Sequence, residues 1–277
     1  MLDFTNENAW DFEVEERRFV PEGLSIPVEG WKALVRPDTG ETLHVHRDSY
    51  KTLPHSDVVN STYDSIKSAN ISQDFNFKIN CIDSGRKLQI DVVFNDLITE
   101  PVVGDHIKYR IRAWNSYDGS WTYQTIADAF RLWCKNGCTT ADPLSKTRMK
   151  HTSQINVDGS AEKIVRGLET FHTNKELWQS WMQNDVLRDR CEKFFKTHLV
   201  SMRTKTSEVK HNFKQLEALM GQLDAEFSAL GKNKWALYNC MTHWATHTTD
   251  SKSPLNVTRE REDRVAKAIS SQTWLAI

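Results

Sequence analysis

A chain of 277 residues is long enough for one large domain or two, with a buried core. Its 36 basic and 37 acidic residues nearly cancel, so net charge alone names no class of partner. No apolar run is long enough to cross a membrane, the N-terminus lacks the basic-then-apolar form of a signal peptide, and five cysteines scattered through patterned segments argue against a disulfide framework. The expectation is a soluble cytoplasmic protein that does not enter the membrane.

The charge is unevenly spread. Residues 1–30 form an acidic leader in which Asp3, Glu7, Asp11, Glu13, Glu15, Glu16, Glu22 and Glu29 face only Arg17 and Arg18, with Phe4, Trp10, Phe12 and Phe19 among them. Such a leader either packs back on the domain through its aromatics or docks a protein partner. Gly30 to Val35 then reads as a strand, Pro37–Gly40 as a turn and Glu41–His46 as the strand that pairs back. After Pro54, the spacing of Val58, Val59, Tyr63 and Ile66 predicts a short amphipathic helix. From Asp74 to Phe94 two alternating runs flank Asp83-Ser84-Gly85-Arg86, which predicts a hairpin with one buried face.

The next run, His106 to Trp114, also alternates: Ile107, Tyr109, Ile111 and Ala113 on one face, His106, Lys108, Arg110, Arg112 and Trp114 on the other. Asn115 to Gly119 supplies turn chemistry. Trp121–Ile126 and, after an Ala-Asp break, Phe130–Cys134 read as further strands, with Lys135-Asn136-Gly137 as a turn and Arg148–Val157 as a last strand. Beyond Asp158-Gly159 the apolar period becomes helical. Ile164 to Phe171 is followed by a capping-box pattern at Thr173 and Glu176, then by helices over Val186–Leu199, Val209–Leu230, Lys234–Thr246 and about Val257–Ser271. The fold class expected is α+β: a mostly antiparallel N-terminal sheet, then a helical C-terminal half. The expected segments are the leader 1–30, a sheet region 31–158 with one short helix, and a helical region 159–277 packed on the sheet as one unit.

The basic face of the His106–Trp114 strand is the main functional signal. Alternate residues on a strand stand roughly 6.5 to 7 Å apart, close to the phosphate spacing of an extended single strand. Lys108, Arg110 and Arg112 are therefore expected to hold phosphates, with Trp114, Tyr123, Arg131 and Trp133 offering planes for base stacking and Lys146, Arg148 and Lys150 extending the track. Basic residues from Arg188 to Lys214 would lengthen it further. Nothing points to catalysis, a metal or a cofactor. Cys134 and Cys138 have no second pair to complete a zinc site, and His243 and His247 share a helix face without the glutamate of a zinc protease. Cys134, His151 and Asp118 can be drawn as a nucleophile–base–orienter set only in the sense that any long chain offers such triples.

Several short stretches, in order, carry a family resemblance: HRDSYKTLPHSDVV (His46–Val59), NSYDGS (Asn115–Ser120), RLWCKNG (Arg131–Gly137), KHT (Lys150–Thr152) and NKWALYNCMTHWATH (Asn233–His247). Together they span roughly residues 30 to 250 and resemble a bacterial, phage- and plasmid-borne family known as domain of unknown function 932. The resemblance implies a mobile-element context and a bacterial host cell, and no mechanism. The functional expectation is a non-enzymatic protein that binds single-stranded DNA along the basic, aromatic-lined β-surface, supports strand annealing or recombination, and self-associates. The competing expectation is a protein-interaction or regulatory module acting on host or plasmid machinery, with the acidic N-terminus meeting a protein partner. Steep salt dependence would separate the first from the second.

Overall fold

The computed structural model describes residues 2–3, 10–131, 136–138, 146–152, 155, 160–200, 202–205, 208–247 and 254–277. A three-stranded sheet comes first, of β2 (Glu15–Arg18), β3 (Trp31–Val35) and β4 (Thr42–Arg47). The larger sheet holds β1 (Leu2–Asp3), β5 (Phe75–Ile82), β6 (Lys87–Thr99), β7 (Ile107–Ser116), β8 (Tyr123–Arg131) and β10 (Lys146–Met149) in that order, with β9 (Asn136–Cys138) beside β8. Pairing of β1 with β5 is parallel; β5–β6, β8–β9 and β8–β10 are antiparallel. The helices are α1 (His55–Ala69), α2 (Ser160–Met182), α3 (Arg188–His198), α4 (Phe213–Leu230), α5 (Lys234–Thr246), α6 (Pro254–Ile269) and the short α7 (Gln272–Leu275), with a hairpin of β11 (Met202–Lys205) and β12 (Glu208–His211) before α4. The fold is α+β, with the sheet N-terminal and the helices mostly in the C-terminal half. Among the described residues no helix is long and apolar enough to cross a membrane.

The chain divides into two compact units whose segments interleave: Met1–Leu97, Tyr109–Ala127 and Pro143–Glu169 in the first, Ile98–Lys108, Asp128–Asp142 and Thr170–Ile277 in the second. In the first unit, α1 buries His55, Val58, Val59, Thr62 and Ile66, a three-and-four spacing that puts them on one face. Its end is set by Asn70, which takes a left-handed conformation (φ 48°) and donates to Ile66 O and Lys67 O. The β5–β6 hairpin has the expected register, Phe75 opposite Phe94 and Ile79 opposite Ile90, around a turn with positive φ at Asp83, Ser84 and Gly85. Against β7 lies the first part of α2: Tyr109 Oη donates to Ile164 O at 2.7 Å, and a Cβ on Gly167 would come within 2.6 Å of both Tyr109 Oη and Ala127 Cβ. Only a residue without a side chain fits there.

In the second unit α5 is buried almost all round, its Trp235 stacked on Tyr238 at 5.5 Å and tilted against Trp178 at 5.8 Å. Its start is fixed by Asn233, whose side chain accepts from Ala236 N. A charged network lies inside this unit. Arg131 Nε donates to Asp105 Oδ1 at 2.6 Å, its Nη1 stands 3.5 Å from Glu226 Oε2, and Trp235 Nε1 donates to Asp105 Oδ2. Burial raises the Glu226 carboxyl above its ordinary value, against the pull of Arg131 and Gln222.

Several boundaries differ from those read in the sequence. β8 runs unbroken through Ala127-Asp128 to Arg131, so the Ala-Asp pair ends nothing; Asn136 and Gly137 lie in β9 rather than in a turn. β10 is shorter and earlier than Arg148–Val157. α2 passes through Thr173 without a break, because a capping pattern stops a helix only where the chain actually enters there. Val209 belongs to β12, and α4 begins at Phe213, where the Asn212 side chain accepts from Gln215 N. β2 in the acidic leader was not foreseen: its residues are charged, and its pairing with β3 is helped by Glu16 to Lys32 at 2.9 Å.

Two stability outcomes follow from this packing. Gly167→Ala should lower stability by about 1–3 kcal/mol, since neither the sheet residue Ala127 nor the anchored Tyr109 can yield freely. Arg131→Ala should cost about 3–5 kcal/mol by leaving two buried carboxylates uncompensated, whereas Glu226→Gln, which removes one of them, should cost far less. Urea unfolding of the three variants checks both.

Candidate functional site

The expected basic face of β7 is not open to solvent. Arg110, Arg112, Trp114, Tyr123 and Arg131 are only 2% to 7% exposed. β7 is an interior strand flanked by β6 and β8, and its two-residue alternation separates two faces that are both covered. The Arg112 guanidinium lies 4.8 Å from the Trp114 ring centroid, and Arg131 is held by its carboxylates. In this conformation none of the five presents a plane or a charge to a nucleic acid strand. Lys108 is half-buried and, with Arg131, belongs to the second unit; Trp133 lies outside the described residues, as does Cys134.

The three remaining predicted residues are together, at the edge. β10 ends the strand order and pairs with β8 from Lys146 opposite Ile126 to Met149 opposite Tyr123. Thr147 Oγ1 accepts from Lys163 Nζ of α2, so Thr147 faces the helix. Lys146 and Arg148 point the other way, and Arg148 Nε donates to Thr122 Oγ1 at 3.1 Å. Arg148 and Lys150 are exposed and Lys146 half-buried.

Directly after Lys150, His151 enters a cluster that sequence reasoning did not assemble. Lys51 N donates to His151 O, and His151 Nδ1 donates to Lys51 O at 3.2 Å, which joins the end of β10 to the segment between β4 and α1. Four rings form a column: His44 to His46 at 4.5 Å, His46 to Tyr50 stacked at 3.7 Å, and Tyr50 to His151 stacked at 4.8 Å. The column holds the turn that follows β7. His46 Nε2 donates to Tyr117 O at 2.6 Å and Tyr50 Oη to Ser116 O at 2.7 Å. His55 stacks on Tyr117 at 4.0 Å, its backbone N donates to Tyr117 Oη, and its Nε2 donates to Gly85 O. That fixes Nδ1 as the acceptor of Asn115 Nδ2, which also reaches Leu53 O. Gly119, at φ +70°, is required by both backbone and space: a Cβ there would sit 3.1 Å from His46 Cε1. Phe12 of the leader lies against the same cluster, 5.9 Å from the Tyr117 ring.

Three of the stretches that carry the family resemblance, at His46–Val59, Asn115–Ser120 and Lys150–Thr152, thus meet in one place. Their histidines and tyrosines were visible in the sequence as a concentration of rings, but nothing in the spacing says that segments some 60 and 100 positions apart along the chain touch. Two buried atoms of the cluster, Asn115 Oδ1 and His151 Nε2, have no hydrogen-bond partner among the described residues. The described residues contain no group of three metal-ligating side chains. Cys81, Cys191 and Cys240 are free thiols, the first pushed up to about 11 and the second to about 12 by burial, which removes them as ready nucleophiles.

Burial holds the imidazoles of His46, His55 and His151 below their ordinary value, His55 at about 3. Each is then neutral in the folded chain at a pH where the unfolded chain would already take up a proton. Stability is full above the unfolded value, near 6.5, and drains away as pH falls below it. The urea midpoint should therefore drop between pH 7.5 and pH 5, and a flat profile over that window would show that these rings are not buried neutral.

No curated protein and no solved structure matches the chain. A family model does, over residues 42–271, which takes in β4, the ring column, the turn after β7, β10 and the helices through α6. The chain belongs to the family described as Domain of unknown function (DUF932).

Proposed function

We propose that the chain binds single-stranded DNA, and that the phosphate track lies on β10 and its continuation rather than on β7. The observation that carries this reading is the placement of Lys146 and Arg148 at alternate positions on the outermost strand, on the side away from α2, with exposed Lys150 directly after the strand. Their spacing of roughly 6.5 to 7 Å suits successive phosphates of an extended strand. Exposed Lys51 joins them through the backbone bond to His151, and exposed His44 ends the ring column on the same unit, where a base can stack. The reading is a non-enzymatic one, with annealing or recombination in a phage or plasmid setting as its biological context. A second reading, docking of a protein partner by the leader, is favoured by one feature: Val20, Leu24 and Ile26 are exposed, and Ile26 lines a surface cavity of about 600 Å³ together with Glu16, Arg17, Arg18, Glu29 and Trp31.

Fluorescence anisotropy with a labelled oligothymidylate and a matched duplex, at several salt concentrations, separates the two. The wild type should prefer the single strand and lose affinity steeply with salt. Arg148→Ala with Lys150→Ala should weaken binding and flatten the log–log salt slope by about 1.4, from about 0.7 per phosphate contact on single strands. Absence of binding at low salt would sink the proposal and turn attention to the leader.

A further inference from the structure

The second unit contains a cavity that the strand-binding reading does not use. Its volume is about 240 Å³, and it is lined by Asn212, Lys214 and Gln215 at the start of α4, by Ala218 and Gln222 further along it, by His243, Trp244 and His247 near the end of α5, and by Arg261 of α6. Three helices thus bring two permanent cations and two imidazoles to one space, and no carboxylate among the described residues lines it.

The positions are held by local structure. Arg261 lies over the Trp244 ring at 4.6 Å and donates from Nη1 to Trp244 O at 2.9 Å, so its guanidinium is anchored at the cavity wall. His243 and His247, one turn apart on α5, stack at 4.0 Å with planes 12° apart, and His247 Nδ1 donates to His243 O. Burial and the neighbouring His247 push His243 down to about 4, so the parallel imidazoles sit together without two positive charges. Lys214 stands in the first turn of the 18-residue α4, where the helix dipole adds positive potential. Asn212 already satisfies Gln215 N; the dipole supports the site and the converging side chains make it.

We propose that this cavity is an oxyanion site for a phosphate group, with Lys214 and Arg261 as its cationic donors and the stacked His243–His247 pair as its wall. Its size selects the group. Pockets for drug-sized ligands run from about 300 to 1,000 Å³, so this one takes a phosphate and the atoms next to it rather than a whole nucleotide. A free phosphate, a terminal monoester and a backbone diester share the chemistry, and they differ in charge and in the number of open oxygens.

Isothermal titration of the full chain with inorganic phosphate, at constant ionic strength and with chloride in the reference cell, tests the site. The wild type should show saturable one-site binding. Lys214→Ala with His247→Ala removes two exposed side chains, so the fold should persist by circular dichroism while affinity falls by about tenfold or more. Saturable heat lost in the variant supports the assignment. No saturable heat in the wild type, or equal binding in a folded variant, overturns it. Competition by a dinucleotide with and without a 5′-phosphate then names the source: competition by the phosphorylated form alone identifies a terminal monoester, and equal competition identifies the backbone diester.

Discussion

The turn after β7 is the constraint on which much of the first unit depends. Residues 115–117 are fully buried, and their polar groups cannot reach water. A buried backbone group left unpaired costs about as much as a lost hydrogen bond, so the backbone groups of this turn need partners. The partners come from far along the chain: His46 and Tyr50 for the carbonyls of Tyr117 and Ser116, Arg86 O for Tyr117 N, and the His55 backbone N–H, which donates to Tyr117 Oη. Ser116 closes the turn on itself, its Oγ donating to Trp121 O and accepting from Trp121 N. The segments 46–55, 85–86 and 115–121 are thereby tied to a single arrangement, and His151 extends the tie to the residues that follow β10. The histidines here serve as neutral hydrogen-bonding rings, and their neutrality is what the fold requires of them.

This explains which parts were legible in the sequence. α1 and the β5–β6 hairpin announce themselves through a local period and a local start or turn signal, because the forces that set them act within one element. The exposure of β7 could not be read in the same way. Alternation tells how side chains divide between two faces, and it says nothing about whether a second layer covers the polar one. Arg110 and Arg112 look identical in a sequence whether they face water or lie buried. Thr173 and Glu176 illustrate the same limit for helices, since the side chains of a capping box occur equally well on the surface of an uninterrupted α2. The ring cluster was present in the sequence as His46, Tyr50, His55, Tyr117 and His151, but its assembly depends on long-range pairing that no period encodes.

Burial also sorts the cations into two roles. Moving an arginine out of water is costly unless carboxylates or aromatic faces compensate it, so a buried arginine is one whose charge is already engaged. Arg131, shared between Asp105 and Glu226, and Arg112, laid over Trp114, are committed in this way. Such residues shape the protein and have nothing to offer a phosphate. The cations on which the proposals rest lie elsewhere, at β10 in the first unit and around the α4–α5–α6 cavity in the second.

Positive charge on an outermost strand has another physical use, since lysine and arginine there discourage the edge from pairing with a second chain. That role asks only that some charge be present, at any position along the edge. The arrangement at β10 is more specific: Lys146 and Arg148 on the strand and Lys150 just past its end fall at every second residue, Thr147 is turned to α2, and Arg148 is steadied by Thr122. Edge protection would be served as well by a single lysine, or by acidic residues. A regular row of like charges, which repel one another, makes physical sense where a polyanion of matching repeat lies along it.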